Sequence, residues 1–308
     1  MHGVLQARCA LVLLAALVLL AVALPAQAQG FSVACNSQWF TIAPGGSFSG
    51  AIEVSNPGDR PAGVRVYLGD LLRVPGAEDY QFDEEGGREP RSLLPWMTFT
   101  PDQMTLEPGE KRTVLFEVQV PEDPSLEGSY WAVVFVEGMP TEEKVVEEAK
   151  EVKGPRIGIR TVFRYAVKVY ATIEGTEQRA ASFTDLKLEQ ADGGFDAIAT
   201  MENRGNVCMK PKVWLELRDT SGETVFTREH VEKTVLPEST LPFKFELRSV
   251  PVPPGEYLLM IIADYGAPKM VAAQARVSLT KEQSAPPVEE SSEAAPPAEE
   301  TGGSESGS

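Results

Sequence analysis

Two histidines, three cysteines and one paired-acid loop are the side chains of this 308-residue chain that could carry chemistry beyond ordinary charge. Their spacing does not favour it. A zinc site needs three or four His, Cys or carboxylate ligands, and His230 stands in Thr227-Arg228-Glu229-His230 with no cysteine near it in sequence. A Ser-His-Asp arrangement would have to use the same histidine, which has no nucleophile elbow beside it. His230 therefore reads as a solvated strand histidine. Glu84 and Glu85 before Gly86-Gly87 read as an acidic loop ahead of a calcium site. No carboxylate pair, ligand set or nucleophile–base spacing stands out, so the expectation is a protein that is not an enzyme and takes no metal and no cofactor.

The first 28 residues carry one early cation, Arg8, then sixteen uncharged residues from Cys9 to Leu24, then Pro25 and Ala26-Gln27-Ala28. This pattern predicts a secretory leader with cleavage after Ala28 rather than a retained anchor, since the run is shorter than the ~20 residues needed to span a bilayer. Cleavage would remove His2 and Cys9. The mature chain has no other stretch long enough to cross, so it is expected in the periplasm or otherwise outside the cytoplasm. In an oxidising compartment Cys35 and Cys208 could form an interdomain disulfide or sit as two separate buried thiols.

With 45 acidic against 28 basic side chains and a formal charge of −17, a phosphate-neutralising surface has no source, and nucleic acid is excluded as a partner. From Phe31 to about Thr280, runs rich in Val, Ile, Phe, Tyr and Thr alternate with polar residues and are broken by Gly, Pro, Asn and Asp about every ten residues. That pattern predicts an all-β protein of two tandem immunoglobulin-like β-sandwiches, over 29–175 and 180–280. Val114 to Val120 alternates cleanly after the turn Glu107-Pro108-Gly109-Glu110. Residues 141–155 are acidic and basic with few apolar side chains, a long loop or one short exposed helix. Ile157 to Ile173 reads as one strand of seventeen residues, ~56 Å at ~3.3 Å per residue, so it must bend, bulge or project. In the second unit Asn203-Arg204-Gly205-Asn206 and Asp219-Thr220-Ser221-Gly222 read as hairpin turns. The tail 281–308 holds seven glutamates, one lysine and no aromatic, a composition expected to stay disordered. Trp39, Trp96, Trp131 and Trp214 read as packing side chains rather than a sugar-stacking platform.

Three stretches carry a family likeness: Gly45-Gly46-Ser47 leading to Glu53-Val54-Ser55-Asn56; Trp96 to Pro101 with Met104 to Glu110; and Pro121-Glu122-Asp123 followed by Glu127 to Trp131 and Met139-Pro140. Through them the first unit resembles the N-terminal domain of the PapD-like periplasmic chaperones, which assist assembly of surface fibres. The resemblance implies a strand donated to an incomplete sandwich, where added backbone satisfies an open edge and side chains fill apolar pockets. It implies that Ile157, Ile159, Val162, Val167 and Val169 meet the client strand, and that Lys168, with Arg164 or Arg160, anchors a client carboxylate. The family's other anchor is an arginine in the first strand, whereas Ser37 to Ile42 holds no cation. Arg156, Arg160, Arg164 and Lys168 also read as the solvent-facing side of a long strand. Partners implied are β-rich secreted or fimbrial subunits and an outer-membrane usher. The second unit, through Asp185 to Leu188, Asn203 to Asn206 and Pro253 to Tyr257, is similar to the second module of two-domain surface proteins that interact with WxL proteins. Two readings stand: an exported, non-enzymatic assembly chaperone or adaptor acting by β-strand donation, or a cell-envelope structural or adhesion-type module that binds surface proteins or polysaccharide.

Overall fold

The computed structural model describes residues 30–75, 77–139, 162–230, 232–281 and 283. The expected leader, the charged loop 141–155 and nearly all of the acidic tail lie outside these residues, as do Arg156, Ile157, Ile159 and Arg160. The chain forms two compact units. One takes the chain through Arg179 together with Gly205–Cys208 and Leu236–Ser239; the other holds Ala180–Arg204, Met209–Val235 and the chain from Thr240 onward.

In the first unit the strands are β1 (Ser32–Val33), β2 (Ser37–Ile42), β3 (Ser47–Ser55), β4 (Ala62–Leu72), β5 (Gln81–Asp83), β6 (Met97–Thr100), β7 (Gln103–Leu106), β8 (Lys111–Gln119), β9 (Ser129–Gly138) and β10 (Arg164–Ile173). One sheet runs β1-β3-β8-β6, the other β2-β10-β9-β4-β5 with β7 also on β4. The opening strand changes sheets: β1 pairs with β3, and β2, after 34–36, pairs in parallel with β10. This is the immunoglobulin layout of two facing sheets. Period-two alternation decides which side chains meet inside it. Ile52 and Val54 of β3 and Val114, Phe116 and Val118 of β8 are buried, while Glu53, Leu115 and Glu117 between them point outward. Gly50 lies opposite Phe116, and a Cβ there would fall 2.2 Å from the Phe116 ring, so the glycine leaves the space that the ring fills. The Glu107 to Glu110 turn closes with Glu110 N–H on the Glu107 carbonyl at 2.9 Å and Gly109 at φ +75°.

In the second unit the strands are β11 (Ala181–Ala191), β12 (Gly194–Asn203), β13 (Lys212–Arg218), β14 (Thr224–Glu229), β15 (Thr240–Arg248), β16 (Gly255–Asp264) and β17 (Val271–Leu279). Its sheets run β11-β12-β15 and β14-β13-β16-β17, every pairing antiparallel. Met201, Leu215, Leu217, Phe243, Leu259 and Ile261 fill the space between them with no exposed surface. The Asp219 to Gly222 segment does join a hairpin, β13 to β14, with the Asp219 carboxylate accepting from the N–H groups of Ser221 and Glu223 at 2.8 and 3.0 Å. The expectation for Asn203 to Asn206 is corrected: it joins β12 to β13, which lie in different sheets. Turn residues mark a reversal but do not say whether the next strand pairs with the last or crosses over.

The outer edge of β15 is guarded. Pro242 supplies no N–H, its carbonyl accepts from Lys233 Nζ at 3.3 Å, and the Glu246 carbonyl accepts from the Arg228 guanidinium. Capping edge carbonyls with long cationic side chains denies them to another chain's strand. The double variant Arg228→Ala with Lys233→Ala should self-associate where the parent does not, seen as a rise in mass by sedimentation equilibrium. An unchanged mass would mean that the caps do not protect this edge.

Candidate functional site: a half-open strand edge

β10 is built from one alternating sequence, and its two rows have different fates. Val167, Val169, Ala171 and Ile173 point into the sandwich and are at most 1% exposed. Phe163 and Tyr165 continue that row past the end of the core and are 51% and 37% exposed, next to Val162 at 46%. Phe31 meets Tyr165, its ring 5.3 Å away edge-on, while the Tyr165 hydroxyl donates to the Phe31 carbonyl at 3.2 Å.

The backbone shows the same change half-way along. β9 pairs with β10 over its length, Arg164 opposite Glu137 through Thr172 opposite Ser129. On the other side β2 begins only at Ser37, opposite Lys168, whose N–H donates to the Asn36 carbonyl at 3.0 Å. Gly138 N–H donates to Phe163 O at 3.0 Å, so odd-numbered residues turn their backbone groups to β9 and even-numbered ones turn theirs away. The N–H and C=O of Arg164 and Ala166 therefore face the side where, among the described residues, no strand pairs with β10.

On the outer face Arg164 is the centre of a polar network. Its guanidinium pairs with Glu84, donates to the Tyr67 hydroxyl at 3.3 Å and lies 5.1 Å above the Phe135 ring. Tyr67 in turn donates to Glu137 at 2.7 Å, and Arg65 bonds the other Glu137 oxygen at 2.7 Å. Bonds to Tyr67 and Glu84 raise the Arg164 pKa further above its ordinary value. Burial of Glu137 opposes its charge, but the bonds from Tyr67 and Arg65 outweigh it and hold the carboxyl below the usual range. Lys168, two rows along, is half-buried between Val133 and Ser37 and has no ion-pair partner among the described residues. Beyond it Trp39, 39% exposed, stacks on Tyr170 with ring centroids 4.0 Å apart.

Several expected roles change. Val167 and Val169, expected to meet a client strand, face this sandwich's own interior, because alternation alone does not say whose core a row fills. Arg164, expected as an anchor, is paired with Glu84 in the free chain. Val162 is exposed, Lys168 has no ion-pair partner among the described residues, and Ile157, Ile159 and Arg160 lie outside the described residues. Cys35 and Cys208 are both free thiols, so the disulfide considered for them is not formed. Cys35 packs against the cluster between the two sheets, whereas Cys208 belongs to the outer-face cluster with Trp131 and Tyr170. Burial there pushes the Cys208 thiol pKa far up, leaving it protonated and inert. Among the described residues no group of three His, Cys, Asp or Glu is placed to hold a metal, and no helix is long and apolar enough to cross a membrane. Sequence reasoning missed the open backbone of Ala166 and the exposed pair Phe163 and Tyr165; two aromatics in the row that elsewhere holds Ile, Val and Ala were the available signal.

No family model and no curated protein matches the sequence. Among solved structures the chain is similar to the class 5 fimbriae chaperone CfaA, at 11% identity over 80% of this chain and 98% of that one with a TM-score of 0.43. It is also similar to the Pseudomonas aeruginosa CupB2 chaperone, at 12% identity over 81% and 100% with a TM-score of 0.39. The E. coli chaperone DraB matches at 14% identity over 82% and 97%, with a TM-score of 0.38.

Proposed function

We propose that this protein is an exported, non-enzymatic assembly chaperone or adaptor that lends the free half of β10 to an incomplete β-rich secreted subunit. The observation that carries this reading is the step in the sheet edge: among the described residues, 168–172 have strand neighbours on both sides, and 164–167 have one. A partner strand laid along the step gains ladder bonds to Arg164 and Ala166 and covers Phe163, Tyr165 and Val162, which their own sandwich leaves in water. Burying an exposed side chain of this size contributes ~1.5–3 kcal/mol. Lys168 then stands where the added strand meets β2, with an ammonium available to a carboxylate of the partner. Subunit delivery to an outer-membrane usher and a periplasmic setting belong to the same proposal.

The test is recovery from the periplasm. The tagged chain should co-purify with a β-rich secreted protein, and replacing Phe163 and Tyr165 together by Asp should reduce that recovery at least about tenfold, given the apolar area lost from the contact. If the double variant still folds and keeps its partner at the parental level, β10 is not the contact. Recovery of envelope polysaccharide or an anchored surface protein in its place would favour the binding-module reading.

A further inference from the structure

We infer that Glu84 holds the place of a partner carboxylate at Arg164, and that the segment laid on β10 carries an acidic group opposite that position. This deepens the strand-addition reading and rests on it. Arg164 itself carries part of the open backbone, and its outer-face row is the one an added strand would extend. Its guanidinium is already paired, but the two carboxylates near it are held very differently. Glu137 accepts from Tyr67 at 2.7 Å and from Arg65 at 2.7 and 3.2 Å, and its side chain is 16% exposed. Glu84 is 49% exposed; beyond Arg164 it has, among the described residues, only a long 3.5 Å approach to the Tyr67 hydroxyl, whose proton is committed to Glu137.

The turn that carries Glu84 is anchored without it. Asp83 pairs with Arg88 at 2.8 Å, and the Gly87 N–H donates to buried Asp70 at 2.7 Å. Glu84 can therefore swing away while its loop stays put. The local charges are Arg65 and Arg164 against Glu84 and Glu137, so a third carboxylate would sit in excess negative charge unless one left. The weakly held one is Glu84. Exchange of one carboxylate for another leaves Arg164 paired in both states, so the free protein avoids an unsatisfied cation, and a strand with a neutral residue at that position gains nothing from it. Arg164 thereby supplies a preference for an acidic strand, and Glu84 lowers it by competing for the same guanidinium.

The probes are two synthetic ten-residue peptides alternating Val and Thr, identical except for one central Glu or Gln, with blocked ends, read by fluorescence anisotropy against the full mature chain. Glu84→Gln should tighten binding of the Glu peptide about three- to tenfold, the range for a partly exposed charge-assisted bond, and leave the Gln peptide unchanged. Arg164→Gln should abolish any advantage of the Glu peptide over the Gln peptide. If both peptides bind but Glu84→Gln shifts neither, or shifts both alike, the placeholder role is wrong and strand addition stands. If neither peptide binds the parent or either variant, strand addition fails and this inference falls with it.

Discussion

Ala166→Pro should remove partner capture while leaving the protein folded, and Val167→Pro, one residue further on, should unfold the first unit. The contrast follows from which way each N–H points. Val167 sits opposite Val134 and turns its N–H toward β9, inside the ladder of a central strand pair. A proline there removes a ladder bond and sets its ring against the neighbouring strand, at a cost of ~3 kcal/mol or more. Val167 is also 1% exposed, so the substitution disturbs the interior as well. Ala166 turns its N–H to the open side, where a proline is tolerated as on any edge strand, and the variant should lose no more than ~1 kcal/mol. For an arriving strand that N–H is one of the few donors on offer, and the proline ring blocks its approach. Capture of the secreted partner should fall at least about tenfold, with the urea midpoint of the first unit nearly unchanged. Full capture by a folded Ala166→Pro chain would remove the step in the sheet as the contact.

The same pair of residues shows what the sequence made legible and what it did not. Clean alternation in Val114 to Val120 located a strand with one buried and one solvated row, and β8 has that pattern because residue types decide burial locally. The Ile157 to Ile173 stretch alternates too, and its described part is the strand Arg164–Ile173. Alternation cannot reveal that β2 stops at Ser37 and so leaves Ala166 bare; that depends on where a strand more than a hundred residues earlier ends. Nor does it distinguish Val167, which fills this molecule's own interior, from Phe163, which lies on the same row outside it. The Glu84 contact was hidden for a related reason. Glu84 and Arg164 lie 80 residues apart, and an acidic pair before two glycines reads locally as a solvated loop. The cysteines behave alike: two thiols in an exported chain permit a disulfide, but packing puts Cys35 between the sheets and Cys208 against the outer face of one of them.

That outer face makes a second large prediction. Trp131 has no exposed surface; its indole N–H donates to the Leu71 carbonyl at 2.8 Å, and the Arg73 guanidinium lies 5.5 Å from its ring. Its own backbone is tied to Leu93 and Arg91, whose N–H and C=O it meets at 2.9 and 3.0 Å. Trp131→Ala should destabilise the first unit by ~3–5 kcal/mol, a transfer term plus the cavity left behind. Trp131→Phe should still cost ~2–3 kcal/mol, because the Leu71 carbonyl is left buried without its donor even though most of the apolar volume returns. Trp39 provides the internal comparison. Its ring also stacks on this face, but it is 39% exposed and its N–H reaches only Ser37 Oγ at 3.3 Å, so Trp39→Ala should cost ~1 kcal/mol or less in the same urea titration. Equal losses at the two tryptophans would mean that burial does not rank them. The order matters for the site because Tyr170, opposite Trp131 and two residues from Lys168, carries the strand that presents both cations. Loosening Trp131 should weaken partner capture through the position of β10, whereas Trp39→Ala should alter it only if the partner reaches over β2.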